Sequence, residues 1–173
     1  PIHVIDKMNI WEDIKLELER IEQKEGHLDA VIIDYAQLMN SKLRFEGRRL
    51  ELDYISRDLK AFAMRHNCLM IALAQLNRAP ETRRDHRPIL SDLRECGELE
   101  NSADVVMFLY REAYYDPSAN ERDAEIIIAK NRHGRTGTVK LYWAGEYQMF
   151  YENITKLQAR AIWDKYKEGK KNE

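Results

Sequence analysis

Apolar residues recur at helical spacing over residues 10–24, where Ile10, Ile14, Leu18 and Ile21 share one stripe and charged residues fill the other face. Gly26 follows and predicts the end of that helix. A second stripe, Leu52, Ile55, Leu59 and Phe62, predicts a helix over about 46–66. Between the two, AVIID (30–34) is apolar, β-branched and finishes on an acid; after the second, LMIALAQ (69–75) is apolar and finishes on an amide. IHVI (2–5) and DVVMFLY (104–110) have similar character. Runs of this kind predict strands buried on both faces, as in a parallel sheet covered by helices. Strand, helix, strand, helix, strand in order predicts an α/β fold with right-handed crossovers.

The pattern changes twice more. NRAPETRRDHRPIL (77–90) carries two prolines and five charged residues between Glu81 and Arg87, and reads as a long exposed loop. A short helix is expected around 91–102. AEIIIAK (124–130), TGTVKLYW (136–143) and EYQMFYE (146–152) are separated by short HGR and AG turns, which predicts antiparallel hairpins at one edge of the sheet. Residues 153–173 are rich in Lys, Arg and Glu and read as a terminal helix running into a charged tail. The expected organisation is one domain over 1–152 with 153–173 appended.

Composition narrows the function classes. The 173 residues are 44% hydrophobic, enough for a real core, and 34% charged, above the usual quarter or so. No apolar run approaches the roughly 20 residues of a membrane helix, and PIHVIDKMNIWEDIK lacks the layout of a signal peptide. Two cysteines, Cys68 and Cys96, make no disulfide framework and suggest reduced thiols. Five scattered histidines and those cysteines have no zinc spacing. The net charge of −2 excludes a uniformly basic nucleic-acid binder, though a net value hides local distribution. The start at Pro1 suggests a chain cut from something longer.

Four features carry candidate chemistry. Asp34 closes a buried strand, where α/β sheets bind ligands; such an acid can hold Mg²⁺ in phosphate-binding ATPases, or simply cap the next turn. Gln75 closes the next strand and should lie on the same rim, where a neutral amide can sense a phosphate or satisfy loose backbone groups. The stretch 77–97 carries Arg78, Arg83, Arg84, Arg87 and Arg94, which suit phosphate backbones, yet interleaves Glu81, Asp85, Asp92 and Glu95. Lys130 and Arg132 stand two apart at a strand end and can point the same way; they suit an arginine finger, or the protective charges of an edge strand. Tyr110, Tyr114 and Tyr115 can stack on bases but more often pack. Trp143, Tyr147, Phe150 and Tyr151 read as core and rim of the last hairpin. No G-x-x-x-x-G-K-[ST] phosphate loop occurs among the seven glycines.

VIIDYAQLM, IALAQLNRA, RPILSDLRECGELENSADVVMFLYR and AEIIIAKNRHGRTGTVKL, in that order, resemble the replicative DNA helicase family of DnaB type over about residues 28–151. The third run is the most specific, and it argues against a recombinase or a clock-type hexamer. The resemblance implies a partial RecA-like core: an α/β, mostly parallel sheet flanked by helices, with antiparallel hairpin strands at its C-terminal edge. It implies an ATP-dependent DNA helicase, a hexameric ring that moves on single-stranded DNA and unwinds duplex at the fork. It also implies ATP and Mg²⁺ as cofactors, primase and a helicase loader as partners, and a cytoplasmic location, in a bacterial cell or a virus-infected host.

Site roles follow from the same resemblance. Asp34 matches the Mg²⁺-holding acid and Gln75 the amide that couples nucleotide to DNA. Arg94, Glu95 and Gly97 match the channel loop that holds the DNA backbone. Lys130 and Arg132 match a pair acting on the neighbouring subunit's nucleotide. Asn131 stands where the family has Gln, and Cys96 where it has Ser. The phosphate loop and catalytic Glu lie upstream in the family, so this chain by itself is expected to be inactive and to expose an apolar sheet face. The competing expectation is a stand-alone DNA- or helicase-binding module with a degenerate RecA-like fold.

Overall fold

The structure, a computed structural model, describes residues 1–152, with side chains throughout except at positions 94–96. The chain forms two compact units: residues 1–77 with 90–103, and residues 78–89 with 104 onward.

The first unit is built on helix α1 (Trp11–Glu25), strand β1 (Ala30–Ile33), helix α2 (Arg48–His66) and strand β2 (Leu69–Ala72). Helix α1 ends at Gly26, whose φ of 94° only glycine adopts freely and whose N–H donates to the Glu22 carbonyl at 2.8 Å. Strands β1 and β2 pair in parallel, Val31 opposite Met70 and Ile33 opposite Ala72, with α2 as the crossover. The stripe Leu52, Ile55, Leu59 and Phe62 is 1–4% exposed, and Ile55, Leu59 and Phe62 meet Trp11, Leu18, Val31 and Met39 in one core. Trp11, fully buried, lies edge-on to Phe62 at 5.7 Å, and its Nε1–H donates to Asp58 at 2.6 Å, beside the Lys15 ammonium. Burial by itself would raise the Asp58 carboxyl, but the bonds from Lys15 and Trp11 hold it below the usual range. Cys68 packs against the same core, and burial pushes its thiol up. The opposite face of the pair is bare: Ile32 is 66% exposed, Leu69 59% and Ile71 40%.

The second unit is a four-stranded antiparallel sheet in the order β3 (Val105–Tyr110), β4 (Asp123–Asn131), β5 (Gly137–Ala144), β6 (Met149–Tyr151). A register shift between Val106 and Met107 sets Ala129 outside the regular pairing. The last hairpin buries Ala144 and Tyr151, with Tyr142, Tyr147 and Met149 against them. The stretch 78–89 also belongs here, and it is anchored. It contains helix α3 (Ala79–Thr82), Arg87 forms two bonds to Glu125 at 2.8 and 2.9 Å, and His86 stacks on Tyr115 at 4.5 Å.

The α/β class and the C-terminal hairpins match expectation, but the continuous, mostly parallel sheet does not form among the described residues. Among the described residues the only parallel strands are β1 and β2, with an isolated parallel bridge between Ile10 and Asn40; β3 pairs with β4 antiparallel. Residues of β3 alternate exposed and buried, so only one face is covered. A short apolar run cannot reveal by itself how many of its faces will be covered. IHVI forms no strand; Ile2 and Val4 lie 94% and 81% exposed. It has no partner strand, and an isolated extended segment leaves its backbone groups to water. The segment 153–173 lies outside the described residues. No described helix is long and apolar enough to cross a membrane.

Candidate nucleotide and nucleic-acid site

In the first unit the candidate residues gather at the carboxyl end of the parallel pair. Asp34 follows the last residue of β1, and the Asp34–Tyr35 peptide is cis. Its carboxylate is exposed and makes no hydrogen bond or ion pair among the described residues, so it does not cap the 3₁₀ turn Ala36–Leu38 that follows. The strand-like pairing continues briefly: Leu73 N–H donates to the Ile33 carbonyl and Ala36 N–H to the Leu73 carbonyl, both at 2.9 Å.

Gln75 stands three residues beyond β2 rather than at its last position. Its side-chain amide is also unbonded among the described residues. Its main chain is held by Gln37, whose Nε2 donates to the Gln75 carbonyl at 2.9 Å and whose Oε1 accepts from the Gln75 N–H at 3.1 Å. Asn77 N–H then donates to the carbonyl of Asp92 at 3.0 Å. A cleft of about 160 Å³ opens among Tyr35, Gln37, Gln75, Asn77 and Asp92.

The 90–97 stretch is not an open loop. It forms a 3₁₀ helix, Leu90–Cys96, kinked at Leu93, and runs directly into α4 (Gly97–Ser102), which packs on α2. Arg94 and Glu95 lie on that 3₁₀ helix. Asp92 is 1% exposed and Leu93 buried, which pins the start of the segment. A Cβ added at Gly97 would meet nothing within 4 Å, so packing inside this chain does not require glycine there.

Lys130 and Arg132 belong to the second unit. Lys130, half-buried, lies opposite Val106. Arg132 follows the end of β4; its N–H donates to the Asp104 carbonyl at 2.9 Å and its guanidinium pairs with the Asp104 carboxylate at 3.3 Å. Strand β4 lies between β3 and β5, but its pairing with β5 stops at Ile128, short of Lys130 and Arg132. The Asn131 amide accepts from the His133 N–H at 3.2 Å and donates to the Arg135 carbonyl at 3.3 Å, folding the turn that carries Arg132. Tyr110 is buried beneath the Arg87 guanidinium, 4.7 Å away, whereas Tyr114 is 79% exposed.

Sequence reasoning singled out Asp34 and Gln75 but not Gln37, Asn77 or Arg48. Gln37 lies within VIIDYAQLM, yet its partner is 38 residues away, and no local pattern signals such a contact. Arg48 donates to the carbonyls of Gln37, at 2.8 Å, and Met39, which steadies the segment after Asp34.

Mg²⁺ favours one or two carboxylates plus phosphate oxygens and waters over an all-protein cage. A free acid at a sheet rim fits that habit, and no group of three or more His, Cys, Asp or Glu able to hold a metal occurs among the described residues.

An acid and an amide set free at the carboxyl rim of a parallel pair define an α/β protein of the kind that binds ligands at that rim. Comparison with known proteins specifies the family. The model for the DnaB-like helicase C terminal domain matches residues 1–152, and the chain belongs to that family. It is 46% identical over 154 residues to the replicative DNA helicase DnaB of Leifsonia xyli subsp. xyli (strain CTCB07), a match covering 87% of this chain and 33% of that protein. With the DnaB of Geobacillus stearothermophilus it shares 46% over 140 residues, 80% of this chain and 31% of that one. The chain thus spans about a third of the length of these curated relatives. Among solved structures, an isolated ATPase domain superposes with a TM-score of 0.79 at 40% identity, covering 84% of this chain and 52% of that one. A DnaB-like replicative helicase, described with its interactions with primase, gives 0.81 at 41%, covering 86% and 37%.

Proposed function

We propose that this chain forms part of the RecA-like ATPase core of a replicative DNA helicase. In this reading the subunits close into a hexameric ring, ATP binds between neighbours, and hydrolysis moves single-stranded DNA through the channel. The observation that carries it is the rim of the parallel pair, where Asp34 and Gln75 present free polar ends and the Gln75 backbone leads through Asn77 to the 90–97 segment. Family membership supports the same assignment.

Asp34 would hold Mg²⁺ together with the nucleotide phosphates; the bound ion supplies charge neutralisation at the transferring phosphoryl group. The Gln75 amide, unbonded among the described residues, senses the terminal phosphate. Arg94, Glu95 and Gly97 hold the DNA backbone, the latter two through main chain, so binding is sequence-tolerant and weakens with salt. Lys130 and Arg132 act on the nucleotide of a neighbouring subunit, with Arg132 leaving Asp104 to do so. That ion pair is exposed on both sides, and such pairs hold only weakly. The phosphate-binding loop and the base that activates water are supplied by residues outside these 173. Primase and a helicase loader are the expected partners, and the cytoplasm the expected location.

The test is ATP turnover by the full-length gene product and by this 173-residue chain, each with and without single-stranded DNA. DNA-stimulated turnover is expected from the first and none from the second. Arg132→Ala in the full-length product should lower the rate by about 10³-fold while ATP still binds. Loss of ATP binding in that variant would defeat the assignment to a neighbouring site. Turnover by this chain alone would reveal a phosphate site within it.

A further inference from the structure

Strand β2 ends at Ala72, so no ladder partner holds the backbone of Gln75. A side chain takes that place. The amide of Gln37 satisfies both the N–H and the carbonyl of Gln75, at 3.1 and 2.9 Å. A single bond would leave the Gln75 peptide groups free to pivot; two bonds from one planar amide fix both position and orientation. Gln37 is itself anchored. The Ala36 N–H just before it bonds the Leu73 carbonyl at 2.9 Å, and Arg48 bonds the Gln37 carbonyl at 2.8 Å. Three residues upstream of Gln37 is Asp34.

On the other side, Asn77 continues the connection. Its N–H donates to the Asp92 carbonyl at 3.0 Å and its amide to the Ser91 carbonyl at 3.5 Å, two to three residues before Arg94. An unbroken set of main-chain restraints thus runs from Asp34 through Gln37 and Gln75 to the 90–97 segment. Gln37 is the only link in it made by a side-chain amide binding both groups of one distant residue among the described residues. Coupling between sites needs such a contiguous, discrete element.

We propose that Gln37 is a positioning residue for the coupling of nucleotide state to DNA binding. It fixes the main chain of Gln75, so that displacement at the Asp34 rim is transmitted to residues 90–97 instead of being absorbed by a loose turn. This rests on the roles proposed above for Asp34 and Gln75.

The experiment compares Gln37→Met, Gln37→Glu and Gln75→Ala in the full-length gene product. Methionine keeps the length but neither donates nor accepts strongly; glutamate keeps an acceptor for the Gln75 N–H and loses the donor. Two readouts are used. One is the ratio of ATP turnover with and without single-stranded DNA, beside KM for ATP. The other is the affinity for a fluorescent oligothymidylate in a non-hydrolysable ATP analogue and in ADP. Loss of two hydrogen bonds should cut the stimulation ratio about tenfold in Gln37→Met, with KM within about twofold and Gln37→Glu intermediate. The difference in DNA affinity between the two nucleotides should shrink in parallel. A merely structural role would lower stability without narrowing that difference.

Wild-type stimulation and an undiminished affinity difference in Gln37→Met overturn the proposal. If Gln37→Met does not assemble, Gln37→Glu decides by the same readouts. If Gln75→Ala abolishes the coupling while the Gln37 variants keep it, only the role of Gln37 fails. If Gln75→Ala also keeps it, the role given to Gln75 fails too.

Discussion

Replacing Glu125 by glutamine should loosen the stretch 78–89 from the antiparallel sheet. Arg87 reaches Glu125 through Nε and a terminal nitrogen at 2.8 and 2.9 Å, in the paired geometry that makes such bonds strong. The Glu125 side chain is 17% exposed, but that of Arg87 is 39% exposed and shares its charge with solvent and Asp85. Glutamine keeps one acceptor, loses the charge and turns an NH₂ toward a guanidinium. Charged hydrogen bonds contribute about 1.5–3 kcal/mol, and solvent screening here brings the expected loss to roughly 1–2 kcal/mol. For a chain of this size the melting temperature should fall by about 2–8 °C.

The pH dependence has a definite sign. The bonds from Arg87 hold the Glu125 carboxyl below the usual carboxylate range. A carboxyl with a depressed folded value contributes stability fully present above its unfolded value, about 4.3, and lost as pH falls through the folded one. Circular-dichroism melts of wild type and Glu125→Gln should therefore differ at pH 7 and converge near the lowest pH at which both still fold. Arg87 stays charged throughout, its affinity for a proton raised by the Glu125 bonds. A wild-type–variant difference below about 0.3 kcal/mol at pH 7 would refute the reasoning, since the geometry predicts several times that. So would a difference that persists unchanged at low pH.

Two further outcomes concern the first unit. Ile55→Ala empties a site 1% exposed between Trp11, Leu59 and Phe62 and should cost about 2–5 kcal/mol in urea unfolding; a loss under about 1 kcal/mol would mean the core closes over the gap. The bare apolar face of β1 and β2 should make the 173-residue chain associate with rising concentration in sedimentation experiments, and Ile71→Lys should weaken that association. A clean monomer at all concentrations would show that this face is not adhesive.

Much of the framework was legible in the sequence, because it depends on short-range periodicity. The stripe from Leu52 to Phe62 could bury only one helix face, and Gly26 could end only one helix. The run VIIDY placed Asp34 at a strand end because apolar β-branched residues favour strands and the polar residue leaves the core, whereas the strand in LMIALAQ stops at Ala72, three residues short of Gln75. The family was legible too, from the order and spacing of four runs, and the match over residues 1–152 bears it out.

Tertiary structure decided what depends on partners distant in the chain. Whether an apolar strand is covered on one face or two is set by what packs on it, so DVVMFLY became an antiparallel strand with one open face. Charge runs did not announce their pairings: Arg87 belongs to Glu125, Lys15 to Asp58 and Arg132 to Asp104. Gln37 looked like one amide among several until folding brought Gln75 to it. Periodicity and propensity act over a few residues and are written in the local sequence. Hydrogen-bond satisfaction and ion pairing act over a few ångströms, and only the folded chain says which residues those are.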